Sequence, residues 1–142
     1  MRIRDILQVK GDDVATVPSD ATIRELLAVL AEHNIGAIVV AGEDGVIDGI
    51  ASERDVVRHL HHRGADLLDN PVSSIMTAEV RTCEPDDIVD GLRKVMTEHR
   101  IRHLPVVEAG RLVGIVSIGD VVKSAIDSLE TEREQLVGYI QS

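Results

Sequence analysis

Gly49-Ile50-Ala51-Ser52-Glu53-Arg54-Asp55 is written again as Gly114-Ile115-Val116-Ser117-Ile118-Gly119-Asp120. Each copy reads as an apolar strand that hands over to a helix, with Ser-x-x-Asp at the junction. The match extends upstream. Thr16 lies over Thr82, Asp20 over Asp86, Leu26 over Leu92, Leu30 over Met96, His33 over His99 and Ile35 over Ile101. It also holds in the turn, where Gly45 lies over Gly110. A period longer than that of the common solenoids, present only twice, indicates two similar units packed on each other rather than an array. The groove between them is the expected site of function.

Each unit follows one plan. In the first, Asp20-Ala21-Thr22-Ile23 offers an N-cap, and Ile23, Leu26, Leu27, Leu30 and Ala31 recur at helical spacing as far as His33-Asn34. Residues 35–40 read as a buried strand, 42–45 as a turn and 46–52 as a second strand, which makes a hairpin. A helix then runs to about Gly64, a plausible C′ residue. In the second copy the spacing predicts a helix from Asp86 to about Arg100, strands over 104–107 and 112–117, and a helix from about Gly119. Short strands are expected at 15–17 and 81–83. The fold class is α/β (α+β), with two β-α-β-β-α repeats at 1–64 and 71–126, a connection at 65–70 and a C-terminal helix extension over 127–142. Asp5-Ile6-Leu7 also matches Ser74-Ile75-Met76.

The chain has 142 residues, 44% hydrophobic, so it can bury one good core or two small ones. Either half alone would be marginal, and mutual packing should be obligatory. A net charge of −10 disfavours nucleic acid and anionic membrane, whose affinity comes mostly from Lys and Arg. With one Tyr and neither Trp nor Phe, the chain offers no stacking platform for bases, and a planar ligand would lie between aliphatic side chains or backbone. The single Cys83 makes no internal disulfide. Without an apolar leader or an 18-residue apolar run, the expected location is the cytoplasm.

At Ser52-x-x-Asp55 and Ser117-x-x-Asp120, a helix N-terminus offers backbone N–H groups and its dipole to an anion. The carboxylate can accept from a ribose diol, and the hydroxyl can donate to phosphate. An ordinary capping box is the competing account of each pair. Pro105 opens the second copy's strand and leaves neighbouring backbone groups free to read a base edge. The first copy has Val39 there instead. Arg100, Arg102 and His103, together with Arg54 and Arg58, gather basic groups near the motifs in a net-acidic chain, which suits a phosphate tail.

Ser74-Ile75-Met76-Thr77, Arg100-x-x-x-Leu104-Pro105-Val106-Val107, Gly114-Ile115-Val116-Ser117 and both Ser-x-x-Asp endings together resemble the tandem CBS domain. That module is named after cystathionine β-synthase and is often called a Bateman module. The resemblance runs from about Arg4 to Ala125. It implies pseudo-two-fold packing and two clefts for adenosyl ligands: AMP first, with ATP, NAD-type dinucleotides or S-adenosylmethionine as alternatives and no required cofactor. Carried onto this chain, one cleft takes Thr82, Arg102, His103, Leu104, Pro105, Ser117 and Asp120. The other takes Thr16, Ala37, Ile38, Ser52, Arg54 and Asp55. The missing proline at Val39 makes the Asp120 cleft the expected tighter one. The module is expected to be non-catalytic and homodimeric, signalling ligand state to a partner protein. Its rivals are a structural dimerisation domain with vestigial clefts and a small nucleotide-acting enzyme.

Other features have simpler readings. His59, His61 and His62 sit at a helix end, where the dipole favours them more than a metal does. Cys83 reads as a buried thiol rather than a nucleophile. Along the tail, Val122, Ile126, Leu129, Leu136 and Ile140 fall on 4,3 spacing with Arg133 interrupting. The tail either covers its own core or forms a helix–helix seam with a second copy.

Overall fold

Two antiparallel hairpins carry the molecule, a computed structural model that describes residues 1–11 and 14–141. In the first, β2 (Ala37–Ala41) pairs with β3 (Ile47–Ser52), and β1 (Thr16–Val17) lies parallel to β2. In the second, β4 (His103–Glu108) pairs with β5 (Arg111–Ser117). The register shifts between Val40 and Ala41 and again between Val106 and Val107, so even the irregularity is duplicated. The expected strand at 81–83 is reduced to one parallel bridge, Cys83 with Val106. The hairpin turns meet where the Leu112 N–H donates to the Gly45 carbonyl at 2.9 Å.

Helices α1 (Ile3–Lys10), α2 (Ile23–His33), α3 (Glu53–Arg63), α4 (Leu92–Glu98) and α5 (Ile118–Gln141) complete the fold. The first copy's helix starts later than Asp20. Thr22 is the N-cap, its hydroxyl accepting from the Glu25 N–H while the Glu25 carboxylate accepts from the Thr22 N–H. The second copy departs further, since α4 begins only at Leu92 and not at Asp86. Ile88 and Gly91 stand where the capping box would need Thr22 and Glu25, and Gly91 has φ +86°. Residues 85–89 are also claimed by the chain's first residues. The N–H groups of Ile3 and Arg4 donate to the carbonyls of Asp87 and Pro85, and the Val89 N–H donates to that of Met1.

That contact is half of a reciprocal exchange. Ile3 and Ile6 of α1 are buried with Cys83, Val89, Met96, Leu104, Val106, Val116 and Val121, in the second unit's core. Leu67 of the connection and Val72 and Ile75, which lead into the second repeat, are buried with Val17, Ile23, Leu26, Leu30, Ile38, Val40, Ala51 and Val56, in the first. Each unit is thus closed by a segment that precedes the other, as an approximate two-fold requires. Gly49 and Gly114 permit the approach. A Cβ on Gly49 would stand 2.7 Å from the Thr77 carbonyl oxygen, and one on Gly114 would stand 2.7 Å from Leu7.

Most of the tail does not cover its own core. Its last buried residues are Val121 and Ser124. Beyond them the helix leaves the core, with Leu129 65%, Leu136 64% and Ile140 80% exposed.

Candidate functional site

At the N-terminus of α3 the Ser52 N–H donates to Asp55 Oδ2 at 2.9 Å, and the Asp55 N–H donates to Ser52 Oγ at 3.2 Å. Ser117 and Asp120 repeat this at α5, at 2.9 and 3.1 Å. The capping box is therefore built at both junctions. The first amide of each helix is also spent, Glu53 N–H on the Gly36 carbonyl and Ile118 N–H on that of Arg102. Two of the first three amides are taken at each end, so an anion here must rely on side chains more than on the helix terminus. Only Oδ2 of each aspartate serves the cap.

Between the units lies a cleft of about 730 Å³. It is walled by Gly36 and Ala37 at the start of β2, by Ser52, Glu53, Arg54, Asp55 and Arg58 at the start of α3, and by residues 99–103 leading into β4. Ser117 and Ile118 close one side, and Thr77, Glu79, Val80 and Arg81, in the lead-in to the second unit, close another. Arg54, Arg58, Arg81, Arg100 and Arg102 all line it, and none joins an ion pair among the described residues. Three carboxylates, Glu53, Asp55 and Glu79, stand with them. Arg100 adopts φ +55°, as Asn34 adopts φ +51° at the matching end of α2. An arginine in this conformation is uncommon, and it directs the chain into the cleft at a cost of about 1–2 kcal/mol. Burial, then the charges of Lys10 and Arg102, lowers the pKa of His103 and keeps its ring neutral, against a smaller pull from Asp120.

The structure brings Ala37, Ser52, Arg54, Asp55, Arg102, His103 and Ser117 onto this cleft. It does not gather the rest there. Ile38, Leu104 and Pro105 are buried in the cores, so only their backbone could meet a ligand. The Pro105 carbonyl already accepts from the Cys83 N–H at 3.0 Å. Thr16 is exposed beside Val39 on β1, and Thr82 is exposed next to the Cys83 bridge. Asp120 lines a separate cavity of about 260 Å³ with Met1, Asp5, Val9, Lys10, Ser124 and others. Arg81 and His99 are cleft residues that the sequence reading passed over. Arg81 sits in the lead-in to the second unit, and His99 read as a helix end; only their neighbours Thr82 and Arg100 were clues.

The CBS domain profile matches residues 3–62 and 72–127. The chain belongs to the CBS-domain family. As a CBS pair it is 34% identical to the CBS domain-containing protein CBSX3, mitochondrial, of Arabidopsis thaliana, over 98% of this chain and 71% of that protein. The solved CBS-domain protein ATU1752 from Agrobacterium tumefaciens is 46% identical, with a TM-score of 0.83 over 88% of this chain and 99% of that one. The CBS domain pair of protein MJ0100, solved with 5-methylthioadenosine and S-adenosyl-L-methionine, is 28% identical, with a TM-score of 0.78 over 90% and 98% of the two chains.

Cys83 and the histidines of α3 meet neighbours outside the cleft motifs or within their own helix. Cys83 is buried, and burial followed by the charge of Asp87 pushes its thiol up to about 12, which leaves it protonated and unreactive. His59 Nδ1 lies 3.0 Å from the Asp55 carbonyl within α3, and His61 meets His62 edge-on. No cluster of metal-ligating side chains occurs among the described residues. Nor is any described helix long and apolar enough to cross a membrane.

Proposed function

We propose that this CBS pair is a non-catalytic sensor of adenine nucleotides, holding a phosphate-bearing adenosyl ligand in the cleft between its repeats. The observation that carries this reading is the set of five arginines around Asp55 in a chain of net charge −10. Guanidinium groups bind phosphate through paired N–H donors, and Asp55 Oδ1, which the cap does not use, can accept from a ribose diol. MJ0100 was solved with ligands that carry no phosphate. Here the arginines favour AMP, ATP or an NAD-type dinucleotide, and they disfavour the cationic sulfonium of S-adenosylmethionine. Because residues of both repeats wall the cleft, a ligand stabilises one relative orientation, and a partner protein can read that state.

The protein has one Tyr and no Trp, so a bound adenine dominates its ultraviolet spectrum near 260 nm. Denaturation should release an unmodified adenine nucleotide, identified by chromatography. Calorimetry should then show AMP binding more tightly than S-adenosylmethionine. Equal affinity for the two would overturn the phosphate reading, a hydrolysed ligand would favour an enzyme, and no binding of either would leave a structural dimerisation domain.

We further propose a homodimer joined along α5. Leu129, Leu136 and Ile140 share one face with Val122 and Ile126, and the fold leaves that face exposed. Arg133 occupies one seam position, where a single polar residue fixes register. Leu129→Glu with Leu136→Glu should give monomers by light scattering while the fold persists, since neither residue belongs to a core cluster. Unfolding of the double variant, or a monomeric wild type at high concentration, would overturn this.

A further inference from the structure

The two halves differ at one polar contact. In the first, the Ile50 carbonyl accepts from the Thr77 N–H at 2.9 Å, because the lead-in to the second unit runs alongside β3. In the second, the matching Ile115 carbonyl accepts from Lys10 Nζ at 2.9 Å, since α1 is helical there and offers no strand amide. The same ammonium lies 2.6 Å from Asp120 Oδ2, and the two side chains are only 34% and 24% exposed. Leu7 packs on Gly114 as Met76 packs on Gly49, and beyond them the Thr77 amide stands in the first half where the Lys10 ammonium stands in the second. Among the described residues Asp55 joins no ion pair, and its Oδ2 takes the Ser52 N–H and hydroxyl. A hydroxyl can rotate away from an incoming diol, whereas Lys10 must break an ion pair and a second hydrogen bond.

We propose that Lys10 is the residue that decides which half-site takes ligand: it holds Asp120 Oδ2, which a diol needs together with Oδ1, so the open Asp55 cleft fills first and the Asp120 half-site stays closed. This deepens the nucleotide reading and rests on it. It also reverses the order expected from the proline at position 105. Lys10 acts as an internal competitor for the diol.

Calorimetry of the full chain with AMP tests it. Wild type should bind one equivalent per chain, and Lys10→Met should bind two. Losing a positive charge lowers affinity for an anion in general, so a gained equivalent cannot be an unspecific charge effect. Lys10→Arg keeps the pair and should stay at one, and Lys10→Met with Asp120→Ala should return to one. One equivalent or weaker binding in Lys10→Met, with its circular dichroism melt intact, would overturn the proposal. If Lys10→Met unfolds, two equivalents in Lys10→Arg or in wild type overturn it instead. No AMP bound by any variant refutes the nucleotide reading itself, whereas one unaltered equivalent throughout refutes only the role of Lys10.

Discussion

Leu67→Ala should lower the unfolding free energy by about 2–5 kcal/mol, the range for emptying a packed leucine site. Leu67 lies in the short 3₁₀ turn Ala65–Asp69 of the connection, yet it is fully buried in the first unit's core. Domains of this size hold about 5–15 kcal/mol in total, so one substitution in a linker should remove a large share of stability. Asp66→Ala, one residue away and exposed, should change it by less than about 0.5 kcal/mol. Urea denaturation of both checks the pair. A loss below 1 kcal/mol for Leu67→Ala would mean that the connection is not part of the core.

Asp55→Ala should weaken AMP binding by about 1.5–3 kcal/mol, roughly ten- to a hundredfold, the value of hydrogen bonds to a charged group. Ser52 keeps its cap hydroxyl on the backbone, so the fold should survive. Asp120→Ala should cost less binding, because its carboxylate already answers to Lys10 and lies off the main cleft. Burial alone would raise the pKa of Asp120, but the hydrogen bonds from Lys10 and Ser117 outweigh it and hold the carboxyl below its usual value. The pair's stabilising contribution is accordingly present above the ordinary carboxylate range and is lost as pH falls through the depressed folded value. Equal losses from the two alanine variants by calorimetry would contradict the ordering.

The repeat, both hairpins and both Ser-x-x-Asp junctions were legible in the sequence, because each depends on neighbours within a few residues. Alternating apolar runs fix strands, Gly45 and Gly110 at positive φ fix turns, and a serine three residues before an aspartate fixes a cap. The tail's 4,3 spacing was equally legible, but spacing does not say what a helix face meets. Only packing left Leu129, Leu136 and Ile140 outside both cores.

The late start of α4 had a local cause in Ile88 and Gly91, visible once α2 shows what Thr22 and Glu25 do there. The exchange of leading segments had none, since Ile3 is as apolar as any core residue and nothing near it names the unit it joins. Lys10 is the sharpest case. Sequence supplied a lysine at a helix end and an aspartate over a hundred residues away, and only the crossing of α1 onto β5 set the ammonium 2.6 Å from the carboxylate. Local patterning determined what the two units are. Long-range packing decided which aspartate is free, because a charge acts on whatever folding places beside it.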